Sequence, residues 1–92
     1  MALLTSTELS GFLSDHPGWE SEGQRLEATF TFADFSEAMG FVTRVALLAE
    51  KAFHHPDIDI RWNRVSIALS THDEGGLTGK DTSLATQIDR LL

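Results

Sequence analysis

Three histidines, His54, His55 and His72, are the side chains of this sequence best suited to chemistry near neutral pH. Imidazole both gives and takes protons in that range, so a cluster of imidazoles points to general acid–base work. A lone histidine is more often structural or solvated, and neighbours decide between the two. Glu50 stands four residues before His54, which puts both on one face of a helix. On a bare surface the two would form a solvated pair. In a site, Glu50 would orient or tune His54, or contact substrate. Asp81 follows Thr78 by three residues, the spacing of a helix-capping box, and the Gly75-Gly76 turn can also fold it back toward His72.

A metal centre is the rival reading, since Glu50, His54, His55 and His72 are all potential ligands. The His-Glu-x-x-His helix motif of zinc enzymes is absent, and no metal is expected. With no cysteine in the chain there is no thiolate nucleophile, no zinc thiolate and no disulfide. The run from Gly75 to Asp81 fails as a phosphate loop. Its glycine spacing is one residue short, and Asp81 stands where Ser or Thr should follow the lysine. Trp19 suits either a core position or an aromatic wall for a flat ligand. His16, in a turn with Pro17 and Gly18, receives no role.

These residues need elements to position them. Thr5 with Glu8, Asp34 with Glu37, and Thr78 with Asp81 each carry a helix-start signature. They predict helices over about 5–14, 35–53 and 79–91. Leu26, Ala28, Phe30 and Phe32 alternate with polar neighbours, which predicts a strand with one buried face. A short strand and turn precede it, from Trp19 to Gly23. Ile58, Ile60 and Trp62 alternate in the same way, as do Val65, Ile67 and Leu69, and only Asn63 and Arg64 separate the two runs. A two-residue link between alternating runs predicts a β-hairpin. Pairing Trp62 with Val65 would set Ile60 against Ile67 and Ile58 against Leu69, with Trp62 most readily in the core. The same register, extended, sets His55 opposite His72, with His54 nearby at the end of the middle helix.

The order is helix, two strands, helix, two strands, helix. It implies an α+β two-layer sandwich, a four-stranded antiparallel sheet with helices on one face. On the middle helix, Phe35, Ala38, Met39, Val42, Val45, Ala46, Ala49, Ala52 and Phe53 form a stripe wide enough to cover the sheet. Phe41 and Leu48, with Leu47 beside them, fall on another side. They belong either to a wide core stripe or to a subunit interface.

Ninety-two residues suffice for one domain, taken here as 1–92. The apolar fraction of 41% and charged fraction of 23% are those of an ordinary globular chain. A formal net charge of -7 argues against nucleic acid and against an anionic membrane surface as partners. No apolar run approaches the roughly 20 residues of a membrane span. Met1–Leu4 is too short and uncharged for a secretion signal, so the expected location is cytoplasmic.

Glu50-x-x-x-His54-His55-Pro56, then Trp62, His72 and Asp81, resembles the signature of the pterin-4a-carbinolamine dehydratases. Five residues lie between Pro56 and Trp62, nine between Trp62 and His72, and eight between His72 and Asp81. Thr71-His72-Asp73, Gly75-Gly76-Leu77-Thr78, Gly18-Trp19 and Phe32-x-x-Phe35 are similar to the family as well. The resemblance spans nearly the whole chain and is strongest over 50–85.

It implies a hydro-lyase, a 4a-hydroxytetrahydrobiopterin dehydratase. Such an enzyme converts a 4a-hydroxy-tetrahydropterin to quinonoid dihydropterin and water, in tetrahydrobiopterin recycling after an aromatic amino-acid hydroxylase. The leaving hydroxyl needs an acid and the ring N5 proton needs a base. By this resemblance His54, His55 and His72 are catalytic, with His54 and His72 making the direct transfers and His55 assisting or binding. Glu50 and Asp81 orient the histidines or hold the pterin, and Trp19 packs on the ring. No metal and no cofactor is implied beyond the pterin, which is the substrate. The family also implies a homodimer or homotetramer. The alternative is a protein-interaction scaffold of the same fold, since family members also serve as a transcription-factor coactivator and as carbon-fixation assembly proteins. Retention of the histidine set favours the enzyme.

Overall fold

The computed structural model describes residues 2–92. Helix α1 runs Ser6–Asp15, strand β1 Glu20–Glu22, strand β2 Arg25–Thr31, helix α2 Phe35–Ala52, strand β3 Asp57–Arg61, strand β4 Arg64–Leu69 and helix α3 Gly79–Asp89. A short 3-10 turn, His72–Glu74, precedes α3. The strands form one antiparallel sheet in the order β1-β2-β4-β3. The α+β order expected from the sequence is therefore the observed one.

Capping explains where the helices begin. Thr5 and Glu8 make a full capping box on α1, and Thr78 and Asp81 make one on α3. Asp34 caps α2 by accepting from Glu37 N, while the Glu37 carboxylate reaches back to Ala33 N instead of the cap itself.

One face of the sheet is buried. Leu26 and Ala28 of β2 and Val65, Ile67 and Leu69 of β4 meet Ala38, Phe41, Val45 and Ala49 of α2 and Leu84, Ala85 and Ile88 of α3. The buried face of α2 is thus turned from the expected stripe. Phe41 is 1% exposed, whereas Phe35, Met39 and Phe53, assigned to the sheet-covering stripe, are exposed. Positions 38, 41, 45 and 49 recur at helical spacing on one side. The small Ala38 and Ala49 let the helix approach the sheet. The Phe41 ring then fills the space beside Phe30 and Phe32, with centroids 5.0 and 4.9 Å away. Leu48 packs partly against this core and Leu47 does not.

The hairpin also departs from its expected register. Ile58 pairs with Ile67, Ile60 with Val65 and Arg61 with Arg64. The turn is Trp62-Asn63, with Trp62 at φ 51° and 67% exposed, so Trp62 leaves the core. Asn63 explains the choice. Its Nδ2 donates to Phe32 O at 2.8 Å, and its own carbonyl accepts from Phe32 N at 2.9 Å, pinning the turn to the end of β2. In this register the extended ladder sets His55 against Ser70, two residues short of His72.

Candidate active site

The end of α2 decides where two of the histidines go. Phe53 adopts the left-handed conformation, φ 51° and ψ 39°, and closes the helix as a Schellman motif. Its N–H donates to Glu50 O at 3.2 Å, and His54 N–H donates to Ala49 O at 3.1 Å. For a residue with a side chain this conformation carries a cost of about 1–2 kcal/mol. It swings the chain so that successive histidines face opposite ways.

His54 turns inward. Its side chain is 10% exposed, and its Nε2 lies 2.5 Å from Asp81 Oδ1. Asp81 is fully buried at the third position of α3. Its other oxygen, Oδ2, accepts from Thr71 Oγ1 at 2.7 Å and from Thr78 N at 2.9 Å. One carboxylate therefore serves as helix cap and histidine partner together. The outer edge of His54 lines a groove with Ala52, Gly79, Lys80, Ser83, Leu84 and Gln87.

His55 turns outward. Its Nε2 lies 2.8 Å from Glu50 Oε1, on the exposed surface. The expected pairing of Glu50 with His54 is thus replaced by a pairing with His55, because the left-handed turn rotates His54 away from the helix face that carries Glu50. Exposed as it is, this pair adds little to stability. Its effect is geometric, holding one ring nitrogen as a donor.

His72 opens the 3-10 turn. Thr71 and Gly76 exchange backbone hydrogen bonds at the base of that turn, and Gly75 takes φ 74° to close it. His72 and His55 line one depression together with Gln24, Arg25, Asp57 and Ser70, at the end of the sheet where β2 begins and β4 ends. Its volume, ≈ 440 Å³, falls within the roughly 300–1,000 Å³ usual for small-molecule sites. The groove beside His54, at ≈ 230 Å³, falls below it. A larger hollow of ≈ 650 Å³ lies on the uncovered sheet face. Its charged groups include the ion pairs Arg25–Asp57 and Arg61–Asp59, and its lining has no histidine, whereas the smaller depression has two.

The structure thus brings His55 and His72 into one depression and joins His54 to Asp81 behind it. Trp19 is in neither place. It is 3% exposed, its Nε1 donates to Asp89 Oδ1 at 3.0 Å, and its ring meets Phe30 edge-on, so it has no free face to offer a ligand. Trp19 is a core residue, and the aromatic-wall expectation is corrected. His16 is structural, stacked on Phe12 and within hydrogen-bond reach of Thr86. Among the described residues, no three His, Asp or Glu side chains converge to hold a metal ion. Gln24, Arg25, Asp57 and Ser70 were not anticipated, since they come from strand ends that only the sheet pairing brings beside the histidines. Thr71, which enters the sequence reading only within Thr71-His72-Asp73 and with no role of its own, reaches the Asp81 carboxylate.

Paired strands, a helical roof and two histidines in one depression at a strand end define a small α+β protein with a histidine-lined hollow. The pterin 4 alpha carbinolamine dehydratase family model matches residues 2–91, and the chain belongs to that family. A Roseiflexus castenholzii protein with the provisional name pterin-4-alpha-carbinolamine dehydratase is 53% identical over 91 residues, covering 99% of this chain and 98% of that one. A similarly named Chloroflexus aurantiacus protein is 51% identical over 92 residues, covering 100% and 99%. The crystal structure of a transcriptional coactivator/pterin dehydratase from Brucella melitensis superposes with a TM-score of 0.92 at 36% identity, covering 97% of each chain. A pterin dehydratase-like protein described as a RuBisCO assembly factor shares the fold, with a TM-score of 0.67 at 23% identity over 79% of this chain and 84% of that one. Among the described residues no helix is long and apolar enough to cross a membrane.

Proposed function

We propose that the protein dehydrates a 4a-hydroxy-tetrahydropterin to the quinonoid dihydropterin and water. The C4a–O bond breaks, the hydroxyl leaves with an added proton, N5 gives up its proton, and a C4a–N5 double bond forms. One group must act as acid and another as base. Neither role calls for a metal, and the pterin is substrate, so no further cofactor enters this reading.

The observation that carries it is the shared depression of His55 and His72. Two imidazoles border a space of small-molecule size, one of them held by a carboxylate at 2.8 Å. This favours His55 and His72 as the proton-transfer pair. His54, bonded through Nε2 to Asp81, supports them by fixing the His54-His55 segment. That division differs from the sequence-based assignment of His54 to direct transfer. Glu50 orients His55. Gln24, Arg25, Asp57 and Ser70 are placed to contact the polar edge of a pterin.

A crystal grown with a dihydropterin analogue tests this reading. The ligand is expected against His55 and His72. Density in the His54 groove or on the uncovered sheet face, with the depression empty, would reject it.

In this reading the chain serves an enzyme that releases its pterin in the 4a-hydroxy form, such as an aromatic amino-acid hydroxylase. It also works as a homo-oligomer. Phe35, Met39, Phe53 and Trp62 are exposed apolar side chains on a small protein, and β3 is an edge strand carrying the half-exposed Ile58. A second copy would cover them. A different protein partner is the alternative reading. It draws on the same exposed groups and on the coactivator title of the Brucella melitensis relative.

A further inference from the structure

Behind the two surface histidines lies a chain of hydroxyls whose protons can run in one direction only. Thr71 Oγ1 donates to Asp81 Oδ2 at 2.7 Å. A threonine hydroxyl has a single proton, so its 2.9 Å contact with Thr78 Oγ1 must be one in which Thr78 donates. Thr78 Oγ1 in turn accepts from Lys80 N at 3.2 Å. All three side chains at the centre are buried: Thr71 is 7% exposed, and Thr78 and Asp81 are 0% exposed. Water has little access to substitute for a missing partner there.

The sequence of donors thus runs from the first turn of α3 through Thr78 and Thr71 onto Oδ2, which also receives Thr78 N–H. Only Oδ1 is left, and it faces His54 Nε2. With Asp81 as carboxylate, an acceptor on both oxygens, Nε2 must be the donor. Among the described residues Asp81 is the one hydrogen-bond partner of the His54 ring, so it is the protein group that selects the tautomer.

We infer that Thr71 is a positioning residue: its hydroxyl fixes the Asp81 carboxylate so that His54 is held as the Nε2–H tautomer, with Nδ1 as the open lone pair. The role goes beyond helix capping, because the capping box of α3 is made by Thr78 and Asp81 without Thr71. Its consequence for turnover rests on the dehydratase reading. Its consequence for the imidazole does not.

The experiment is nitrogen-15 NMR of the histidine rings, at a pH where they are neutral, on wild type, Thr71→Val and Thr71→Ser. Wild type is expected to show His54 protonated on Nε2 and bare on Nδ1. Thr71→Val, matched in shape but without the hydroxyl, is expected to show a tautomer mixture. Thr71→Ser, which restores the hydroxyl, is expected to return the wild-type pattern. Pterin turnover, measured alongside, should fall roughly tenfold in kcat for Thr71→Val with KM within about twofold, and recover in Thr71→Ser.

Wild type protonated on Nδ1 would overturn the inference without any variant. So would a folded Thr71→Val with the wild-type pattern, or a Thr71→Ser as disturbed as Thr71→Val. Should Thr71→Val not fold, Thr71→Ala removes the same hydroxyl with a smaller side chain, and the same outcomes apply. Absent turnover with the predicted tautomers would count against the dehydratase reading and leave the positioning role standing.

Discussion

His54 Nε2 lies 2.5 Å from Asp81 Oδ1, and the carboxylate it meets is wholly out of solvent. Three donors converge on that carboxylate: His54 Nε2, Thr71 Oγ1 and Thr78 N. Removing it strands His54 Nε2 and Thr78 N and leaves Thr71 Oγ1 with Thr78 Oγ1 alone. Asp81→Ala is therefore expected to lose about 3 kcal/mol or more, from buried donors left without acceptors. Asp81→Asn keeps one acceptor oxygen and should lose less. Urea denaturation of the two variants checks the order. Equal and small losses would mean that the network does not hold the fold.

Glu50 and His55 form the opposite kind of pair, 2.8 Å apart and both exposed. Glu50→Ala is expected to change stability by no more than about 0.5 kcal/mol. Its effect should fall on turnover, roughly a tenfold loss in kcat/KM as the His55 ring loses its orientation. Glu50→Gln, which can still accept the hydrogen bond, should lie between. Thermal melts and kinetics on the same preparations separate the two effects.

Phe41 fills the space between α2 and the sheet. Phe41→Ala is expected to lose about 3–5 kcal/mol, the usual range for emptying a buried aromatic site. For a domain of this size that approaches the whole stability, so the variant should populate the unfolded state readily. Circular dichroism against urea reads it directly.

The exposed Phe35 and Met39 predict self-association. Light scattering after size exclusion should give a mass of two or four chains for wild type. Phe35→Glu with Met39→Glu should shift it toward the monomer while the circular dichroism spectrum stays that of the folded chain. A wild type that is monomeric at high micromolar concentration would remove the oligomer from the proposal.

Much of this arrangement was legible before the structure. A hydroxyl or Asp followed three residues later by an acid marks the starts of α1, α2 and α3, and period-two alternation marks β2, β3 and β4. What escaped has a common cause. Phe53 and Trp62 both sit at positive φ, where a glycine or asparagine would have announced the turn. Without that signal, alternation alone places the hairpin register two residues off. Glu50 was likewise paired with His54, although the Phe53 turn gives it His55. The buried face of α2 was misplaced because its apolar residues run most of the way round. Only packing distinguishes Phe41, beside the small Ala38 and Val45, from Phe35 and Met39. The Thr78-x-x-Asp81 spacing marks Asp81 as a cap, and it is one. That its second oxygen reaches His54 depends on a contact 27 residues away, which no local pattern encodes.

The most direct test is turnover itself: the decay of a 4a-hydroxy-tetrahydropterin, followed by ultraviolet absorbance, with wild type, His55→Ala, His72→Ala and the double variant. Wild type is expected to accelerate the decay. Each single variant should lose roughly 10²-fold or more, and the double variant little beyond the worse single, as for residues acting as a unit. No acceleration by folded wild type, or full activity in the double variant, would contradict a dehydratase whose acid and base are His55 and His72.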